Sequence, residues 1–176
     1  MKTFITAFAL ILMTATPQAQ DVRYGVKGGM SISNVDFEDA PIITNEHRNG
    51  FVFGVFIEYG LTESLSLVPE LQFSGEGANK EGFRNDYLNL PVILKYTLLD
   101  RFGIGLGPQV GLKVNKKEDG FKNFVFSGVG YLEFEITDEF AIDARYNYGL
   151  SNIFDDEDGF PEANNGVIQF GINYKI

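Results

Sequence analysis

"GVIQFGINYKI", residues 166–176, closes the chain. Its bulky side chains fall on every second position: Ile168, Phe170, Ile172, Tyr174 and Ile176. Gln169, Gly171, Asn173 and Lys175 stand between them. A period of two belongs to a β-strand whose faces meet different surroundings. The apolar face persists to the final residue instead of fading into a polar tail. That predicts a terminal strand partnered along its whole length, in a sheet closed on itself.

The same alternation recurs upstream. It predicts eight strands, at residues 22–33, 50–59, 65–75, 87–98, 102–113, 124–136, 140–151 and 166–176. Each is close to the roughly 9–11 residues with which a tilted strand crosses a membrane. No segment keeps a helical period. The connections alternate in length: 60–64, 99–101 and 137–139 are tight, whereas 34–49, 76–86, 114–123 and 152–165 are long and rich in Gly, Asn and Asp. Short turns on one rim and long loops on the other are the pattern of an up-and-down membrane barrel, with periplasmic turns and extracellular loops.

One face of each expected strand is bulky and uncharged, as in Phe51, Phe53, Val55 and Ile57, or Leu88, Leu90, Val92 and Leu94. The other is small or charged, as in Gly103, Gly105, Gly107, Gln109 and Gly111. Alternation alone does not say which face points out. Volume does. An eight-stranded barrel is just wide enough inside for side chains or one small ligand. Several large residues per strand do not fit there, and the glycine-rich set does. The apolar set therefore faces outward, where only lipid makes so large a patch tolerable. The fold class expected is all-β, an antiparallel eight-stranded transmembrane barrel.

Composition agrees. The 176 residues suit one domain, hold no Cys, and carry a net charge of −10. That charge argues against nucleic acid as a partner. Lys2 followed by the apolar run from Phe4 to Met13, with Ala19 offering a cleavage point, has the layout of a secretory signal peptide over residues 1–19. Residues 20–176 are then the barrel domain, and the protein is exported. Tyr24, Tyr59, Tyr96, Phe102, Phe134, Phe140 and Tyr174 lie near strand ends on the short-turn rim, as an interfacial aromatic girdle would. Pro69, Pro91 and Pro108 lie inside strands, where each removes a ladder donor and suggests a bulge or kink.

The stretches "LVPELQFSGEG", "YLNLPVILKY", "GIGLGPQVG", "DARYNYGLSNI" and "VIQFGINYKI" resemble the outer-membrane β-barrel domain family common in Bacteroidetes, the porin-family or PorT-family proteins. The resemblance covers nearly all of residues 20–176, and in-strand prolines recur in that family. It implies a small barrel of the OmpA/OmpX type in the bacterial outer membrane. It specifies fold more than activity. The last strand also resembles the signal read by the barrel-assembly machinery, with Ile176 where Phe is common.

Chemistry is sparse. The inward face carries Arg23, Lys27, Lys95, Lys113, Arg145 and Lys175 against Glu58, Glu70, Glu133, Glu135 and Asp143. Paired, these fill a narrow lumen as a polar core; lining a pore, they would select ions. The core reading is preferred, with a narrow solute or ion channel as the alternative. His47 is the single histidine, so a lipid-modifying enzyme would need it beside one of the strand serines. "FDDEDGF" places Asp155, Asp156 and Asp158 in a long loop, but Phe154 and Asn165 spoil an EF-hand. These acids are weak metal candidates, and the loop reads first as a solvated acidic surface. No cofactor is expected. "GIGLGPQVG" continues as a strand, so its glycines do not make a nucleotide loop. The expectation is a monomeric, non-enzymatic envelope component that meets outer-membrane lipid and lipopolysaccharide. Its long loops leave an adhesion role open.

Overall fold

The computed structural model describes residues 21–37, 47–77, 84–114, 122–151 and 163–176. Eight strands follow in order: β1 (Val22–Phe37), β2 (Arg48–Gly60), β3 (Leu65–Gly77), β4 (Arg84–Leu98), β5 (Phe102–Lys113), β6 (Phe124–Glu135), β7 (Phe140–Gly149) and β8 (Ala163–Lys175). They form a closed barrel in sequence order, and β1 pairs with β8. Every expected strand is present. Several run further toward the long-connection rim than the alternation reached: β1 to Phe37, and β8 from Ala163. The expected signal peptide lies outside the described residues.

The pairing also fixes the tilt. From Val22 the ladder leads to Tyr59, Leu67, Leu94 and Leu106. It continues through Gly130, Tyr146 and Ile168 and returns to β1 at Ile32. One circuit thus displaces the register from residue 22 to residue 32. Ten residues at about 3.3 Å against eight spacings of about 4.8 Å tilt the strands by about 40°. All nine of these residues face outward, so the outer surface is one continuous apolar wall.

That wall is far too greasy for water. Phe51 is 74% exposed, Leu106 71%, Ile172 60% and Phe53 57%. Phe53 stacks on its cross-strand partner Phe73, with ring centroids 5.1 Å apart. Within hydrocarbon every backbone group needs a partner, and closure of β1 on β8 supplies it at the seam. No described helix is long and apolar enough to cross a membrane; the crossing elements are strands.

The in-strand prolines depart from expectation. Beside each, the pairing lapses: between Phe56↔Glu70 and Tyr59↔Leu67, between Pro69↔Val92 and Gln72↔Asn89, and between Pro91↔Gln109 and Leu94↔Leu106. The register on the two sides of every lapse is the same, so no residue is inserted and none is a bulge. The prolines omit donors without bending the count of the ladder.

Inward glycines are where the wall is tightest. A Cβ on Gly29 would stand 2.1 Å from the Phe170 carbonyl oxygen, and one on Gly107 would stand 1.9 Å from that of Val92. The tight turn after β4 has a different strain. Leu99 and Asp100 adopt φ of 50° and 59°, a left-handed conformation without a glycine.

Candidate functional site: the filled lumen

Inward positions of the eight strands bring together three polar layers. The layer nearest the short turns joins four strands. Lys95 of β4 reaches Glu58 of β2 and Glu133 of β6, both at 2.7 Å. Lys175 of β8 reaches Glu58 at 3.3 Å, Glu133 at 3.0 Å and Glu135 at 2.5 Å. The Tyr131 hydroxyl donates to Glu133 at 2.6 Å, and Asn173 donates to the same oxygen at 3.2 Å.

The middle layer crosses the barrel. Arg145 of β7 donates to both oxygens of Glu70 on β3, at 2.9 and 3.2 Å. Its Nε donates to Asp143 at 2.9 Å, and Lys27 of β1 holds the same Asp143 oxygen at 2.7 Å. Two cations therefore face two carboxylates, and all four side chains are at most 3% exposed. Gln72 donates to Glu70 at 2.6 Å. The guanidinium also lies 4.9 Å from the centre of the Tyr131 ring, within cation–π range. A charge removed from water is costly alone and tolerable when paired and hydrogen-bonded. Each charge of this layer is paired, and among its charged groups only the second oxygen of Asp143 is left without a hydrogen bond among the described residues.

The layer nearest the long connections centres on Glu76. Asn89 and Asn165 donate to its two oxygens at 2.7 and 2.8 Å. Arg48 pairs with Asp86 at 2.9 Å and donates to the carbonyls of Glu76 and Asn85. Ser31 and Ser33 donate to the Gly75 and Gly77 carbonyls. Among the described residues the amide oxygens of Asn85, Asn89, Gln109 and Gln169 have no partner, and in the ion layers neither do those of Gln72 and Asn173 nor the second oxygen of Asp143.

Between the lower two layers sits a group the alternation did not assign to the lumen: Phe56, Val68, Ile93, Val129 and Tyr131, all buried. The pocket that Phe56, Val68 and Tyr131 share with Glu58, Glu70, Lys95, Glu133 and Asn173 leaves no volume for a water molecule. The lumen is therefore closed at this level by carbon as well as by ion pairs.

Each expected site residue can now be placed. Lys27, Glu58, Glu70, Lys95, Lys113, Glu133, Asp143, Arg145 and Lys175 are buried inside. Glu135 sits at the lower edge with a side chain 20% exposed. Arg23 departs from the expected network: at the rim its side chain is 40% exposed and pairs with the equally local Asp21 at 3.2 Å. Strand β1 simply starts there, so the lumen has ended. Glu76 belongs to the lumen, and Arg48 with Asp86 forms a half-buried pair at that rim, Asp86 standing in phase with the outward Leu88 and Leu90; none was anticipated, because the expected β2, β3 and β4 stopped short of them. All seven girdle aromatics face outward. Phe102 pairs with Phe134, and Phe140 with Tyr174 at a centroid distance of 4.9 Å. Asp155, Asp156 and Asp158 lie outside the described residues, among which no cluster of three or more His, Cys, Asp or Glu could hold a metal. His47 is exposed on the outer side of β2, while Ser31, Ser33 and Ser74 are fully buried inside.

Residues 18–155 match the family described as outer membrane protein beta-barrel domain. The chain belongs to this family. It is accordingly a protein of the bacterial outer membrane, with its eight strands as the membrane-spanning part. Solved structures share the fold at low identity. Neisserial surface protein A is 11% identical, with a TM-score of 0.56 over 87% of this chain and 97% of that one. Ail, the attachment invasion locus protein of Yersinia pestis, is 15% identical, with a TM-score of 0.52 over 88% of this chain and 99% of that one. That Ail structure holds the heparin analogue sucrose octasulfate. Among curated proteins, none matches the chain by sequence.

Proposed function

We propose that this protein is a non-enzymatic component of the outer-membrane envelope whose barrel anchors and displays its long connections and does not conduct. One observation carries the reading: the pocket between the Lys95–Glu133 and Arg145–Glu70 layers has no room for a water molecule. A pore of this diameter would need these pairs and the carbon beneath them to move together. The test is planar-bilayer recording of the purified barrel, with the expectation of no single-channel steps. Steps that scale with salt would replace this reading with the narrow-channel one.

The non-enzymatic reading is supported by the contrast between His47, exposed before β2, and Ser31, Ser33 and Ser74, fully buried in the lumen. Incubation with lipid A or phospholipid is expected to leave the lipid unchanged. Turnover abolished by His47→Ala would refute it. The long connections face outside in this reading, and lipopolysaccharide surrounds the outer half of the wall. The barrel-assembly machinery takes the chain through β8. Recognition of polyanions of the kind seen with Ail does not carry over, because a net charge of −10 opposes it.

A further inference from the structure

At the short-turn rim the lumen ends in a polar cup of about 430 Å³. Glu58, with its partner Lys95, stands at the floor, and the pocket beyond has no room for a water molecule, so the cup is blind. Most charges around it are answered. Glu58 and Glu135 pair with Lys175, and Asp21 pairs with Arg23. Two lining carboxylates have no cationic partner among the described residues: Glu63, on the turn between β2 and β3, and Asp100, on the turn between β4 and β5. Between those turns run β3 and β4, and each offers the cup a hydroxyl, from Ser66 and Thr97. Ser66 is only 9% exposed, and its hydroxyl has no hydrogen-bond partner among the described residues. A hydroxyl so buried ordinarily has one.

We propose that the cup binds a linear oligoamine, with ammonium groups spread along an alkyl chain. The spacing of the two unanswered acids selects it. Their turns stand two strand spacings apart, about 10 Å. A metal ion holds its oxygens within about 2.6 Å of itself and does not reach across that gap. A chain with an ammonium at each end and one between does. Its ends meet Glu63 and Asp100, and the middle ammonium donates to the Ser66 hydroxyl, with Thr97 beside it. The methylenes lie against Leu61, the apolar member of the lining. This goes beyond the envelope role, and binding in detergent is read apart from any current.

The test titrates spermidine into the full-length mature barrel, folded in zwitterionic detergent at low salt, and follows it by calorimetry. One saturable site per barrel is expected. Glu63→Gln with Asp100→Asn is expected to weaken binding about tenfold. Asn accepts the left-handed backbone at position 100, so the fold is expected to persist, checked by heat-modifiable migration. Asp138→Asn with Glu139→Gln removes as much charge from the turn between β6 and β7, outside the cup, and is expected to change affinity less than about twofold. Ser66→Ala alters no charge and is expected to weaken binding about threefold. Equal effects of the two double variants, with none from Ser66→Ala, would reduce the binding to a diffuse ionic attraction and overturn the proposal. So would a titration that never saturates, or displacement of spermidine by magnesium at matched ionic strength. If the first double variant fails to fold, Glu63→Gln alone is read the same way.

Discussion

Arg145 holds two carboxylates at once, and its own charge is matched by theirs. Replacing it alone leaves Glu70 buried opposite a hydrocarbon. Arg145→Leu is expected to cost about 3–5 kcal/mol, read as a lower midpoint of the heat-modifiable gel shift in detergent. Adding Glu70→Leu removes the stranded charge and leaves Lys27 with Asp143. The double variant is expected to regain most of the loss. A double variant worse than the single one would mean that Glu70 is satisfied by something other than Arg145. The charges themselves were legible in the sequence, because alternation puts them on one face. Their partners were not. That Arg145 of β7 meets Glu70 of β3, and not the nearer-numbered Glu133, depends on the stagger accumulated around the ring, which no single strand encodes.

At the scale of the element, the ladder tolerates three lost donors because its register is held on both sides of each. Pro108→Val restores an N–H facing β4 and is expected to raise stability by about 1 kcal/mol, seen as a higher unfolding midpoint in urea. A lower midpoint would mean the strand is bent to suit the ring. The turn between β4 and β5 is a second place for improvement. Leu99 is left-handed and 93% exposed. Leu99→Asn keeps a side chain that accepts this conformation and is expected to stabilise by up to about 1 kcal/mol in the same assay. Strand existence was readable from period two alone, and the ends slipped by a few residues where the polar rims blur the pattern. Phe56 was the costlier miss. It stands between Val55 and Ile57 and was assigned to neither face, yet its phase with Gly54 and Glu58 points it inward. Val68 and Ile93 repeat the lesson: within one strand, phase outranks hydrophobicity.

For the whole molecule, outside and inside are each destabilised by the kind of residue the other needs. A lysine at Leu132, on the outer wall, is expected to cost about 2–4 kcal/mol if it lies near mid-membrane, and less toward the rims. A leucine at Lys95, on the inner side, leaves Glu58 and Glu133 to share Lys175 as their remaining cation. Refolding into lipid vesicles, monitored by gel shift, separates the two: the outer variant is expected to insert poorly at any pH. The argument from volume that chose which set faces lipid was sound in its conclusion, although the lumen proved able to hold a phenylalanine, two tyrosines and an isoleucine where neighbouring glycines make room.

The junction of β1 with β8 has one more consequence, for the order of events at birth. Neighbours in the finished ring are the first and last pieces delivered, so no portion of the chain can shut without the remainder. Until then two raw margins of backbone stay open, in a medium that offers them nothing to bond. Whatever escorts this polypeptide to its destination must therefore guard both margins simultaneously and let go of them together.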